Sequence, residues 1–143
     1  MTSSFFSQIG NDINGEIAND YSGWSVSLSA DGSIIAIGAT NNKDNGNNSG
    51  HVRIYKNENN TWTQVGGDID GEAAEDELGY SVDLSSDGNV VAVGAHQNLT
   101  GKGYVRIYKN DNNTWTQVGN KIDGEAAGDN AGRSVSLSSD GNV

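Results

Sequence analysis

The sequence predicts an all-β fold built from repeated four-stranded antiparallel meanders. Three observations carry that expectation. The first is internal repetition. His51 to Asp76 reads HVRIYKNENNTWTQVGGDIDGEAAED and Tyr104 to Asp129 reads YVRIYKNDNNTWTQVGNKIDGEAAGD, an offset of 53 residues (104 − 51 = 53). A more diverged copy precedes them, because Gly23-Trp24-Ser25-Val26-Ser27-Leu28 returns as Gly79-Tyr80-Ser81-Val82-Asp83-Leu84 and as Gly132-Arg133-Ser134-Val135-Ser136-Leu137. A period of this size belongs to blades, coils or arrays. The second observation is that each unit divides into four short extended runs. The third is the turn chemistry between the runs, which relies on Gly, Asn and Asp in a chain with no proline.

Within one unit, Ser81-Val82-Asp83-Leu84-Ser85 alternates apolar and polar residues, as a half-buried strand requires. Ser86-Asp87-Gly88-Asn89 follows, and Asp-Gly between extended runs is a strong hairpin signal because Gly supplies positive φ without steric cost. Val90-Val91-Ala92-Val93-Gly94-Ala95 is continuously apolar and small, the pattern of a strand covered on both faces. Tyr104-Val105-Arg106-Ile107-Tyr108 alternates again, and Asn110 to Asn113 form a side-chain-assisted turn. Thr114 to Gly119 is the fourth run, and the acidic stretch Asp123 to Asp129 leads to the next unit. Four strands in about 53 residues describe a meander, and radial repetition of such meanders makes a β-propeller. The alternative is a β-solenoid, whose coils run to about 20–30 residues and do not need two Asp/Asn-rich hairpins each.

The register implies one repeat array over residues 1–143. Phe6-Ser7-Gln8-Ile9-Gly10 matches Trp62-Thr63-Gln64-Val65-Gly66, so 1–21 are expected to hold the fourth strand of a partial blade and its connection. Residues 22–78 form one blade, 79–131 a second, and 132–143 begin another. That is about 2.7 blades, an incomplete ring in a single chain, where a closed propeller has 4–8. Two expectations follow. Copies of the chain associate through their terminal strands into a homo-oligomeric ring, or the sequence is a piece of a longer repeat protein.

Composition narrows the function. The hydrophobic fraction of 34% is low, and the net charge of −11 with a pI near 4.2 makes a phosphate-backbone ligand, and so a nucleic-acid partner, a poor expectation. The chain has no cysteine, which excludes disulfides and thiolate metal sites. No run approaches the roughly 20 apolar residues of a membrane span. Met1 to Ser7 has neither the basic nor the apolar region of a signal peptide. His51 and His96 occupy different places in their repeats, no Ser/His/Asp set recurs, and no phosphate loop opens a helix, so no enzyme is expected.

Gly79-Tyr80-Ser81-Val82 and Val91-Ala92-Val93-Gly94-Ala95, separated by a Ser-Asp-Gly turn, resemble FG-GAP repeats, the blades of integrin-α-like β-propellers. The likeness extends over nearly the whole chain and is closest to bacterial or environmental proteins of that kind. It implies an extracellular or cell-surface propeller used for adhesion, carbohydrate binding or scaffolding, in which catalysis is uncommon. Many such blades carry an Asp-x-Asp-x-Asp-Gly calcium loop before the second strand. Here that place reads Ser85-Ser86-Asp87-Gly88, Ala30-Asp31-Gly32 and Ser139-Asp140-Gly141, so the calcium site does not carry over and the Asp is expected to be a turn former.

Three sets of residues are candidates for binding. The inter-blade connections concentrate acids: Asp68, Asp70, Glu72 and Asp76 in one, and Asp12, Asn14, Glu16 and Asp20 in the preceding one. Alternate oxygens around a Gly suit calcium, the one cofactor expected of this chain if any is bound. Against that, Lys121 replaces Asp68 in the third copy, and a metal ligand should not become Lys. The competing reading is a solvated acidic turn in which Asp20, Asp76 and Asp129 accept backbone amides. Trp24, Tyr80 and Arg133 share one position between an unchanging Gly and Ser-Val, so large, differing side chains there suit a protein or glycan ligand; simple tolerance at an exposed site is the alternative. Trp62 and Trp115, with Phe6 before them, recur on the fourth run and are read as packing between blades rather than as a sugar platform. The loop Thr40 to Gly50 is longer than its counterpart His96 to Gly103 and is expected to be mobile, and the sequons at Asn47, Asn59, Asn98 and Asn112 are read as chance.

Overall fold

Residues 6–96 and 101–142 are described in the computed structural model; the Asn98 sequon lies outside them. Two five-stranded antiparallel sheets account for the regular structure. The first contains β1 (Ser22–Leu28), β2 (Ile34–Ala39), β3 (His51–Glu58) and β4 (Thr61–Gln64) in that order, with β5 (Ile69–Asp70) also on β3. The second repeats the plan with β6 (Leu78–Leu84), β7 (Val90–Ala95), β8 (Tyr104–Asp111), β9 (Thr114–Gln117) and β10 (Ile122–Asp123). β4 pairs with the far half of β3, whereas β5 pairs with His51 and Val52, so the two are halves of one interrupted fourth strand. The interruption falls where Gly66 turns the chain at φ 75°. The described residues are thus all-β meander sheets of the kind that form propeller blades.

Two expected strands are absent from the ladders. Phe6 to Gly10 and Ser134 to Leu137 pair with no strand among the described residues. An extended run becomes a strand only when its amides and carbonyls meet a partner ladder, and the sequence pattern alone does not supply one. Both segments nevertheless keep the inter-blade contacts their position calls for. Ile9 O accepts the Trp62 indole N–H at 2.9 Å, as Val65 O accepts that of Trp115 at 2.8 Å. In the second segment the Leu137 amide donates to Asp83 at 2.7 Å, and just ahead of it Gly132 O accepts the Ser81 hydroxyl at 2.8 Å, as Gly79 O accepts that of Ser25 at 2.7 Å. The recurring tryptophans therefore tie each fourth strand to the preceding unit.

The hairpins between first and second strands follow the expected chemistry. Gly32, Gly88 and Gly141 all stand near φ +70°. The Asp before each accepts a Ser hydroxyl and a backbone amide: Ser29 and Ser33 on Asp31, Ser85 and Asn89 on Asp87, Ser138 and Asn142 on Asp140. These donors, the Ser33 amide first, hold the Asp31 carboxyl down at about 2.

One cluster of buried side chains spans both sheets, from Ala36, Val52, Ile54 and Ile69 to Leu78, Val82, Leu84, Val91, Val93 and Tyr104. The same pattern gives opposite burial in the two copies. On β3, Val52 and Ile54 are buried because the second sheet covers that face; on β8 it is Tyr104, Arg106 and Tyr108, because the first sheet covers the other. Likewise Val82 and Leu84 are buried, whereas their equivalents Val26 and Leu28 are 59% and 54% exposed. Burial in an array depends on which neighbour is present, not on the unit's own sequence.

Candidate functional site

Two groupings of side chains stand at one end of the sheets, where β1 and β3 begin and β2 and β5 end. The first is an aromatic row. Between Ser22 and Ser25 the pairing of β1 with β2 shifts register, and between Leu78 and Ser81 that of β6 with β7 does the same. Each irregularity contains a glycine at positive φ, Gly23 at 91° and Gly79 at 88°, followed by Trp24 or Tyr80. Bulges of this sort re-aim side chains at a sheet's rim. Here they set Trp24 and Tyr80 together, with ring centres 5.4 Å apart. Tyr21 stacks on the outer side of Trp24 at 6.2 Å, and His96 stacks on Tyr80 at 3.9 Å. Tyr21 holds φ 59°, a left-handed conformation that is uncommon for a bulky residue and costs about 1–2 kcal/mol. Tyr21 and Trp24 remain about half exposed. Arg133 occupies the matching place in the third copy; it is exposed and takes no part in these ring contacts.

The second grouping surrounds His51. Asp20 accepts the amides of Glu16, Ile17 and Ser22 and so fixes the connection that carries Glu16. The loop after β2, expected to be mobile, is pinned. Asn42 and Ser49 are buried, Asn45 donates to Gly71 O, and Asn47 and Asn48 both donate to Glu75. That loop delivers Asp44. Glu16, Asp44, His51 and Asp68 each place one potential ligand atom within 4.8 Å of the others. The Arg53 guanidinium pairs with Glu16 and, at 3.1 Å, with Asp68. Asp70 lies alongside; burial, with the Asp68 and Asp44 charges, pushes its carboxyl above the usual range.

The remaining sequence candidates are dispersed. Glu72 turns to the second sheet, where Arg106 holds its carboxyl below the usual range and Lys121 pairs with it at 3.3 Å. Asp76 is buried and accepts the amides of Glu72 and Ala73 and the Tyr104 hydroxyl, while Asp129 accepts the Ala126 amide. The backbone-capping reading of Asp20, Asp76 and Asp129 matches this geometry. Asp12 accepts the Gln8 side-chain amide, and Asn14 is exposed. Sequence reasoning missed Tyr21, His96, Asp44 and His51. His51 stands where the next copy has Tyr104, and Tyr21 where it has Glu77, so a disagreement between copies marked both. Asp44 and His96 carry no such mark, because they lie in or beside loops of unequal length.

Residues 14–55, which span β1, β2 and the first five residues of β3, match the family described as FG-GAP repeat. The matched span holds Glu16, Tyr21, Trp24, Asp44 and His51. Comparison with curated proteins gives no match.

Proposed function

We propose that this chain is a non-catalytic propeller-type binding module, used for adhesion or protein interaction, with the ligand resting on the aromatic row. The observation that carries the reading is the continuous series Tyr21, Trp24, Tyr80 and His96, built across two sheets by paired bulges and half open to solvent at its outer end. Flat rings of this kind bury large area at low entropic cost. A sugar-bearing surface polymer is the ligand such stacked faces suit best, which makes a lectin the specific form of the reading. An extracellular or cell-surface setting fits that role. No helix among the described residues is long and apolar enough to cross a membrane.

A glycan array probed with the intact chain tests this. Binding to at least one glycan is expected, and Trp24→Ala and Tyr80→Ala should each weaken it about tenfold, equivalent to about 1.4 kcal/mol, while circular dichroism stays unchanged. Binding that survives both substitutions removes the row from the site. Absence of any glycan ligand removes the lectin form and leaves protein interaction, read by the same variants.

A second reading, assembly of copies into a ring, is favoured by one observation. Val26 and Leu28 lie bare on β1 while Val82 and Leu84 are covered on β6. The surface that covers Val82 and Leu84 is the far side of the preceding blade, and the far side of the second blade exposes Val118 and Ile122 in the same way. A head-to-tail contact between copies would satisfy both faces and closes into a ring when its rotation permits. Sedimentation velocity should show a multimer that Val26→Asp with Leu28→Asp reduces to monomer. A monomeric parent chain at all accessible concentrations sinks this reading.

A further inference from the structure

We propose that Glu16, Asp44, His51 and Asp68 form a binding site for a first-row divalent transition ion, best suited to Zn²⁺. Four carboxylate and imidazole groups that merely lie close would not carry this, since acidic clusters are common on a chain of charge −11. The independent observation is His51. It is 1% exposed, its Nδ1 makes no hydrogen bond, and that atom faces the three carboxylates. Nδ1 stands 3.6 Å from Glu16 Oε2, 3.8 Å from Asp44 Oδ2 and 3.5 Å from Asp68 Oδ2. Those separations are too long for hydrogen bonds. They are close to the edge of a zinc tetrahedron, whose ligands at about 2.1 Å from the metal stand about 3.4 Å from one another.

The second blade shows what this place requires. There Tyr104 replaces His51, Lys121 replaces Asp68, and Arg106 and Glu72 repeat Arg53 and Glu16. The Lys121 ammonium sits among Glu72 at 3.3 Å, Asp123 at 3.4 Å and the face of the Tyr104 ring at 4.8 Å. Glu72 and Asp123 are thereby balanced by Arg106 and Lys121. In the first blade, among the described residues, Glu16 and Asp68 pair with Arg53, Asp44 and Asp70 lie beside them, and His51 completes the cluster. The exchange of Lys121 for Asp68 removes a built-in cation and adds a carboxylate, and the exchange of Tyr104 for His51 adds a nitrogen donor. A bound cation restores the balance. The imidazole selects its class, because borderline ions take nitrogen with carboxylate oxygen, whereas Ca²⁺ takes an all-oxygen shell of six to eight. Arg53 then holds Glu16 Oε1 and Gln64 holds Asp68 Oδ1, the oxygens turned away from His51, as partners beyond a metal's own ligands commonly do, while Arg53 Nε also reaches Asp68 Oδ2 at 3.1 Å. The ligand set differs from any single alternating acidic loop: it draws on the connection, the loop after β2, β3 and the break in the fourth strand.

The test is isothermal titration of the chelator-stripped chain with ZnCl₂, with CaCl₂ in parallel. One equivalent of Zn²⁺ is expected to bind saturably, to raise the melting temperature, and to shift the His51 Nδ1 resonance in ¹⁵N NMR. Asp44→Asn, in an exposed side chain, should weaken binding at least about tenfold. The double exchange His51→Tyr with Asp68→Lys installs the second blade's own residues and should abolish binding while the fold is retained. Asp111→Asn, on an acid far along β8, should leave it unchanged. Absence of saturable binding, equal binding by parent chain and both cluster variants, or tighter binding of Ca²⁺ than Zn²⁺ each overturns the proposal.

Discussion

Asp76→Ala is expected to destabilise the chain by about 3–4 kcal/mol, because the loss strands three donors at once. The side chain is 4% exposed and accepts from the Glu72 amide at 2.9 Å, the Ala73 amide at 3.1 Å and the Tyr104 hydroxyl at 2.9 Å. Burial, with Asp76 beside it, pushes the Tyr104 hydroxyl above its ordinary range and so favours the protonated, donating form. An orphaned buried donor costs about 1–3 kcal/mol, whereas a mere lost bond costs about 1. Asp129→Ala supplies the internal comparison. It stands in the same place of the next repeat, but it is exposed, and Ala126 is the amide it holds. Its removal should cost less than about 1 kcal/mol. Urea denaturation of both variants checks the pair, and equal costs would show that burial of the cap is not what matters. Function should follow stability here. The connection capped by Asp76 also carries Glu77, which pairs with His96 at 3.1 Å behind Tyr80, so any ligand held by the aromatic row should bind Asp76→Ala more weakly.

The meander and its hairpins were legible because their causes are local. Period-two alternation over 81–85, an apolar run over 90–95 and Asp-Gly at 87–88 each specify backbone geometry within a few residues. The pattern over-reached at Phe6 to Gly10 and Ser134 to Leu137, where the same local text forms no strand ladder among the described residues. The break in the fourth strand at Gly66 went unread, since Gly-Gly after an extended run signals a stop and not a resumption three residues later. Of the site residues, Trp24 and Tyr80 were visible as the point where near-identical copies disagree. Their mutual contact was not, because it depends on two bulges and on the distance between sheets. The acids at 68–76 were visible as a cluster in sequence, yet β5 and the turn after it send Asp68 to one blade and Glu72 to the next. The metal-ligand grouping around His51 joins residues 16, 44, 51 and 68, and only the folded sheets bring them together.

Gly38→Ala should disrupt the seam between the sheets, at a cost of about 2–3 kcal/mol. A Cβ at this position would fall far inside contact distance of the Gly79 carbonyl oxygen, with the Ser25 hydroxyl oxygen only 2.6 Å away. The nearer neighbour is backbone and cannot rotate aside. Gly79 belongs to β6 at φ 88°, and its carbonyl already accepts the Ser25 hydroxyl at 2.7 Å. The added methyl must therefore push β6 away from β2. Tyr80 follows Gly79 directly, so the displacement passes to the 5.4 Å approach of Trp24 to Tyr80 and breaks the row at its centre. Gly94 meets Gly132 in the same manner, but Gly132 lies in a segment outside any sheet, which can yield, and Gly94→Ala should cost less. At Gly67 an added methyl would meet nothing within 4 Å, and the backbone φ is not positive, so Ala should be accepted there within about 0.5 kcal/mol. Thermal unfolding of the three variants ranks them, and near-ultraviolet circular dichroism reads the Trp24 environment. A Gly38→Ala chain as stable as Gly67→Ala, with its aromatic signal intact, would mean that the sheets do not approach at the glycine seam, and the row that depends on that approach would lose its basis.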